Sequence, residues 1–415
     1  MTQPSSSPEH QAKPLPLRCA SGLSTSEQTR AATAEACEHV AFRLDGAPPD
    51  LMLCFFSNKH VERAAEITQY VHTRFAPGCL IGCSADGVLA DQREVESEPA
   101  VAIWAAHLPG CTIKPFALEG RELESVLASP DPSAALCLDG SVVSLVFADP
   151  FTTPLDGLLA VFDIHQTGVP VLGGLASVGT RGQNRLLAGT RTLRSGAVGV
   201  SVAGPIRVDC IVSQGCRPIG KPLRVTSCQQ NVIHRLNDEP ALACFEQMVE
   251  SLSQSERMQL ANGVFIGRAV DSHKKRLGRG DFLIRAVMEV DAKTGAMAVG
   301  DLMAPGMMIQ FHVRDAVTAR EDLELLLTPQ GMEEHPAAGA LLFSCNGRGN
   351  RLYGEPDVDA RTAGKALGGA VPQAGFFAAG EIGPIQGRSF VHGHTVSMAI
   401  FRPEAVDPTG TASAD

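Results

Sequence analysis

The chain has 415 residues, of which 44% are apolar and 19% charged, with a formal charge of −10. That length suggests two or three domains around a real core, and an acidic chain without a basic stripe, holding only 17 Phe, 2 Tyr and 1 Trp, argues against nucleic-acid binding. No apolar run reaches the roughly 18 residues a membrane span needs, and the polar start MTQPSSSPEHQAKP is not a secretory signal.

Residues 1–16 and 404–415 are too polar to fold alone. Ser24 and Glu27 predict a capping box for a helix ending near Leu44. The apolar run Leu53–Ser57 reads as a strand buried on both faces. A helix with Val61, Ala64, Ala65 and Val71 on one face follows, then a second strand running into glycine at Leu80–Ser84, then a third at Val101–Leu108. After a Ser129–Ser133 link the series returns. It has Leu145–Asp149, a helix capped by Thr153, begun by Pro154 and carrying Leu155, Leu158, Leu159 and Phe162, then Val171–Leu175 and Ala197–Ala203. A third copy has Leu341–Cys345, a helix from an Asp357 cap to Leu367, a strand at Phe376–Glu381 and another at Thr395–Phe401. The first-strand end precedes the glycine by 25 positions in the first copy (Ser57 to Gly82), 24 in the second (Asp149 to Gly173) and 35 in the third (Cys345 to Gly380).

Different material separates the second and third copies. A turn-rich crossing at Gly215–Pro222 marks the domain boundary, giving domains at 17–222 and 223–403. Pro240 begins a helix, and strands are predicted at Gly263–Arg268, Asp281–Asp291, Ala296–Met303 and Met307–Arg314, with Thr318 and Glu321 boxing a further helix. The basic run His273–Arg279 reads as a solvated loop. The 12 cysteines show no CxxC and no paired zinc spacing, which fits free thiols in a reduced cytoplasm. No metal and no cofactor is expected.

In α/β units ligands collect where strand ends meet helix N-termini. The first-strand ends hold Ser57, Asp149 and Cys345; the second-strand ends hold Cys83, Gly174 and Glu381. The third copy is the richest, with Cys345, Asn346 and Arg348 spaced by Gly347 and Gly349. Arg348 offers a planar fork for a carboxylate or phosphate, and Glu381 an acceptor for an amine or for Arg348 itself. His392 and His394, two apart at a strand start, are expected on one face roughly 7 Å apart. The structural alternatives are an internal Arg348–Glu381 ion pair, hydrogen-bonded histidines and a buried Cys345. The loop lacks the P-loop and G-x-G-x-x-G spacings, and no H-E-x-x-H occurs.

C-N-G-R-G at 345–349 and A-G-F-F-A-A-G-E-I-G-P-I at 374–385 resemble the C-terminal half of FIST proteins, the F-box and intracellular signal transduction group. Ile81–Val88 and Gly215–Gly220 are similar to the N-terminal half, and the resemblance covers residues 20–402. It implies an α/β, two-domain FIST-like fold of repeated strand–helix–strand–strand units with mixed sheets. It also implies a sensory module that binds a small molecule, with amino acids or small carboxylates the expected class, and that passes a signal to a downstream protein. Related proteins carry kinase, chemoreceptor or F-box segments, which the stretches before Cys19 and after Arg402 are expected to be too short to hold. Cys345, Asn346, Arg348, Glu381, His392 and His394 are the expected ligand-binding residues, Arg348 and Glu381 suiting a zwitterion's carboxylate and ammonium. The alternatives are a protein-interaction scaffold and, third, an enzyme using Cys345, whose thiol Arg348 would acidify with a histidine as base.

Overall fold

The computed structural model describes residues 16–404, so the two expected tails fall outside the described residues apart from Pro16 and Glu404. The first unit comprises β1 (Arg18–Ser24), α1 (Thr29–Leu44), β2 (Leu51–Ser57), α2 (Ala64–Phe75), β3 (Cys79–Ala85), a hairpin of β4 (Gly87–Ala90) and β5 (Arg93–Glu96), and β6 (Val101–His107). The second comprises β7 (Thr112–Leu118), α3 (Arg121–Ala128), a short α4 (Ser133–Leu136), β8 (Val143–Ala148), α5 (Leu155–His165), β9 (Val171–Leu175), a hairpin of β10 (Leu186–Ala188) and β11 (Arg191–Leu193), and β12 (Ala197–Ala203).

The third unit opens with β13 (Ile206–Gln214) and then accommodates a long insertion: β14 (Cys216–Gln229), β15 (Val232–Leu236), β16 (Glu239–Pro240), α6 (Ala241–Ser251), α7 (Gln254–Gln259), β17 (Val264–Ala269), β18 (Phe282–Asp291), β19 (Ala296–Val299) and β20 (Met308–Arg314). It resumes with α8 (Ala316–Leu327), β21 (Gly339–Cys345), α9 (Asn350–Tyr353), α10 (Val358–Ala366), β22 (Gln373–Ala378), the hairpin β23 (Glu381–Ile385) and β24 (Arg388–His392), and β25 (Thr395–Pro403).

Three six-stranded sheets share one order. They run β1-β6-β2-β3-β10-β11, β7-β12-β8-β9-β23-β24 and β13-β25-β21-β22-β4-β5. Within each, the first and second strands of a unit are parallel and the closing strand is antiparallel to the first. The last two strands come from elsewhere. The second unit gives its hairpin to the first, the first to the third, and the third to the second. This cyclic exchange ends one edge of each sheet in a short strand, β11, β24 or β5, which limits the template an edge offers for aggregation. The first strands have no exposed residue, and their matching phenylalanines meet in the centre. Ring centroids are 5.3 Å apart for Phe55–Phe147, 5.7 Å for Phe147–Phe343 and 6.3 Å for Phe55–Phe343, the range in which aromatic pairs attract.

The insertion forms a second body. Its strands run β14-β20-β17-β18-β19-β15, and β14 also pairs with β15, which closes them into a six-stranded barrel. Ile219, Ile233, Ile266, Phe311 and Val313 fill it, with Cys244 and Met248 of α6 in the same core.

Several expectations are corrected here. Gly215–Pro222 is not a turn-rich crossing, because β14 runs through it, pairing with β20 on both sides of an irregularity between Ile219 and Leu223. The glycine that matches Gly82 and Gly173 is Gly375, not Gly380. A Cβ at any of the three would overlap the carbonyl oxygen of the parallel first strand, at Cys54, Val146 and Leu342. The third spacing is therefore 375 − 345 = 30 positions, and Glu381 begins the donated hairpin instead of ending the second strand. Asp315, not a Thr318–Glu321 box, caps α8 through the N–H groups of Val317 and Thr318. The Ser24 hydroxyl goes to Glu35 and leaves α1 without a side-chain cap. Neither Thr153 nor Asp357 caps its helix: Thr153 donates to the Gly196 carbonyl, and Asp357 accepts from the N–H of Glu94. The basic run is a loop, with Lys274 held by Asp281 at 2.6 Å. No helix among the described residues is long and apolar enough to cross a membrane.

Candidate functional site

The loop after β21 is folded around its own cysteine. Gly347 donates its N–H to Cys345 Sγ (3.4 Å), and Arg348 donates its N–H to the Cys345 carbonyl (2.8 Å). These tight contacts turn the Arg348 side chain inward, where it is 1% exposed. Its partner is Asp359, at the start of α10: Nε and Nη2 each donate to that carboxylate at 2.8 Å. Tyr353 and Ser344 donate to the same carboxylate at 2.8 and 2.9 Å. Burial alone would raise Asp359, but the guanidinium and these hydrogen bonds hold it below the usual carboxylate range.

The structural alternative of an internal Arg348–Glu381 ion pair is thus not formed, since Arg348 pairs with Asp359. Glu381 is fully buried, and one of its oxygens accepts the Thr395 N–H (3.1 Å) and hydroxyl (2.6 Å). It occupies the position that Val88 and Leu186 hold in the other two donated hairpins, judged by the second-strand residue each faces. Burial pushes it up to about 8, against the pull of Thr395 and of Arg348, so it is mostly protonated at neutral pH. Arg348 Nη1 and Glu381 Oε1 are each buried without a hydrogen-bond partner among the described residues. Each thus keeps one spare hydrogen-bonding atom.

The two histidines also differ from expectation. His392 ends β24 and donates its Nε2–H to the Gly383 carbonyl (2.9 Å), whereas His394 sits in a left-handed turn conformation with φ 60°. Alternation along a strand therefore does not apply to them. His394 lies against the Phe265 ring (4.3 Å) and beside Gly347, where an added Cβ would stand 3.3 Å from its Nδ1 and 3.6 Å from Cys345 Sγ. Burial lowers both histidines to about 4, so both are neutral. Burial, and then the Glu381 charge, push the Cys345 thiol far up, beyond what Gly347, His394 and Arg348 offset. A thiol so held is a poor nucleophile. Asn346 is half-buried, its carbonyl accepting from Arg351 at 2.8 Å. Among the described residues no group of three or more His, Cys, Asp or Glu is arranged to hold a metal ion.

The turn carrying His392, Gly393 and His394 is the wall between this enclosed cluster and an open cleft of about 800 Å³. The opposite walls are the barrel strands β18 and β19, through Ile284, Arg285, Met288 and Val299, and the start of α5 with Leu175. Neither Arg348 nor Glu381 lines the cleft. Arg285 is held by the Ile284 and Val391 carbonyls and by Asp301, which also accepts from Arg268. Pro154 precedes α5 and offers no side-chain cap; the first intrahelical bond is from the Leu158 N–H to the Pro154 carbonyl. The N–H groups of Leu155, Asp156 and Gly157 have no intrahelical acceptor and carry the positive end of the helix dipole. Sequence reasoning reached the His392–His394 wall but missed Asp359, Tyr353, Arg285 and Phe265. The one available signal was an aspartate in the first turn of the helix after the loop.

A family model for the FIST N domain matches residues 50–239, and one for the FIST C domain matches 241–384. An uncharacterized protein of Mycobacterium tuberculosis is 39% identical over 393 residues, covering 93% of this chain and 100% of its own. An uncharacterized protein of Mycobacterium bovis is 39% identical over 388 residues, covering 93% and 99%. The cleft is therefore bordered by both matched segments, α5, Leu175 and Asn231 from one and β18 and β19 from the other, and the chain belongs to the FIST family of signal-transduction domains.

Proposed function

We propose that this protein is a sensory module that binds an amino acid or small carboxylate in the cleft between the barrel and the three-sheet body. The carrying observation is the cleft itself: about 800 Å³, walled by both FIST domains, mostly apolar with a few polar groups, as small-molecule sites are. The free N–H groups at the start of α5 suit a carboxylate, Asp156 an ammonium, and Leu155, Leu175, Met288 and Leu302 an apolar side chain. A ligand that touches the barrel and the body at once stabilises one arrangement of the two, which a downstream protein can read. The twelve free cysteines fit a module that works in the cytoplasm. Of the expected site residues, His392 and His394 border the ligand in this reading, while Cys345, Asn346, Arg348 and Glu381 support the wall from behind.

Thermal shift against amino acids and small carboxylates tests this. A ligand at 100 times its dissociation constant adds about 2.7 kcal/mol. Ala286→Trp, at an exposed cleft position, should abolish the shift without unfolding the chain. A panel with no stabilising member, or a shift that survives Ala286→Trp, refutes the assignment. The second reading, an interaction scaffold, is favoured by Val317, Leu325 and Met332, which are 67%, 66% and 82% exposed; it predicts no small-molecule shift.

A further inference from the structure

A second, smaller concavity of about 360 Å³ lies on the other side of the Cys345–Gly349 loop, lined by Arg314, Asp315, Val317, Gln259, Arg351 and Leu352. Arg314 is half-buried at the end of β20, and its only hydrogen-bond acceptor among the described residues is the Gly347 carbonyl. No carboxylate pairs with it there. Arg351, with a side chain 55% exposed, donates one Nη to the adjacent Asn346 carbonyl and the other to Asp86. Two guanidinium groups therefore reach consecutive carbonyls of one loop from within one pocket.

Asp86 pairs with Arg351, but the pocket's own carboxylate does not neutralise Arg314. Asp315 Oδ1 accepts the Val317 and Thr318 N–H groups, and Oδ2 accepts from Gln259 and Arg217. The start of α8 is thus already capped and is not the attraction. A half-buried cation without a counter-ion is costly unless something anionic reaches it, and a guanidinium presents five donors, of which one carbonyl satisfies a minority. The volume sits at the low end for small-molecule sites, which suits a small acid.

We propose that this pocket binds a small oxyanion, a carboxylate or a phosphate, anchored by Arg314 and flanked by Arg351. It does not depend on the cleft reading. Because Arg314 also holds the Gly347 carbonyl, and Gly347 lies beside His394 of the cleft wall, an anion here acts on the same loop from behind.

Calorimetric titration of the full chain with succinate and, separately, with inorganic phosphate, each against chloride at equal ionic strength, tests the site. At least one should bind, identifying the oxyanion class. Arg314→Gln and Arg351→Gln should each weaken that binding by about tenfold or more, as loss of a charge-assisted hydrogen bond does, and Ala286→Trp should leave it unchanged. If Arg314→Gln fails to fold, the exposed Arg351→Gln decides alone. No binding above chloride, or binding unmoved by Arg351→Gln, overturns the proposal. Binding lost in Ala286→Trp assigns the anion to the cleft and overturns it as well.

Discussion

Asp359→Ala probes the polar centre behind the cleft wall. The carboxylate accepts four hydrogen bonds, from Arg348 Nε, Arg348 Nη2, Tyr353 and Ser344, at 2.8 to 2.9 Å. Arg348 is 1% exposed and has one further Nη already without a partner. Truncation leaves a buried guanidinium with no counter-ion, a loss of about 3–5 kcal/mol. Replacing both partners by apolar residues, Arg348→Met with Asp359→Leu, should cost markedly less, because no uncompensated charge remains. Urea unfolding followed by circular dichroism measures both as shifts in midpoint at constant slope. A loss below about 1 kcal/mol for Asp359→Ala refutes the reasoning: Arg348 would then have another partner, such as Glu381, which already feels its charge.

Glu381 carries a pH signature. Its folded form is raised to about 8 by burial, so its contribution is fully present below the usual carboxylate range and is lost as pH rises toward and through about 8. Glu381→Gln should flatten the decline in urea midpoint between pH 5 and 9; an unchanged profile counts against a buried, protonated Glu381. Gly375→Ala should destabilise by about 1–3 kcal/mol or more, since its Cβ would overlap the Leu342 carbonyl, whereas Gly278→Ala, whose Cβ meets only Asp281 Oδ2 at 3.9 Å, should cost less; equal losses would contradict the glycine assignment. Cys345 should alkylate no faster than free cysteine at pH 7 by mass spectrometry, given its burial; faster reaction would revive an enzyme reading.

The first strands were legible in the sequence because burial on both faces demands an unbroken apolar run, as in Leu51–Phe56 and Gly339–Phe343. The cyclic hairpin exchange was not legible, since pairing Leu186 with Cys83 or Glu381 with Gly174 spans about 100 to 200 residues and leaves no local pattern. Gly380 displaced Gly375 because both sit in one glycine-rich stretch, and only the close approach of Leu342 separates them. The barrel's strands were readable one by one, but its closure rests on a β14–β15 pairing with register shifts. At the site, charge complementarity suggested Glu381 for Arg348. Asp359, eleven positions away on the next helix, won because a carboxylate with two further hydrogen-bond donors compensates a buried guanidinium better than a protonated acid does.

Backbone hydrogen exchange with the best-binding amino acid or carboxylate of the panel is the most direct test of the sensing account. The account predicts slowed exchange at Leu155, Asp156 and Gly157 and across Val391–His394, on both sides of the cleft. Slowed exchange confined to surfaces remote from those segments, or no change with any bound ligand, would contradict it.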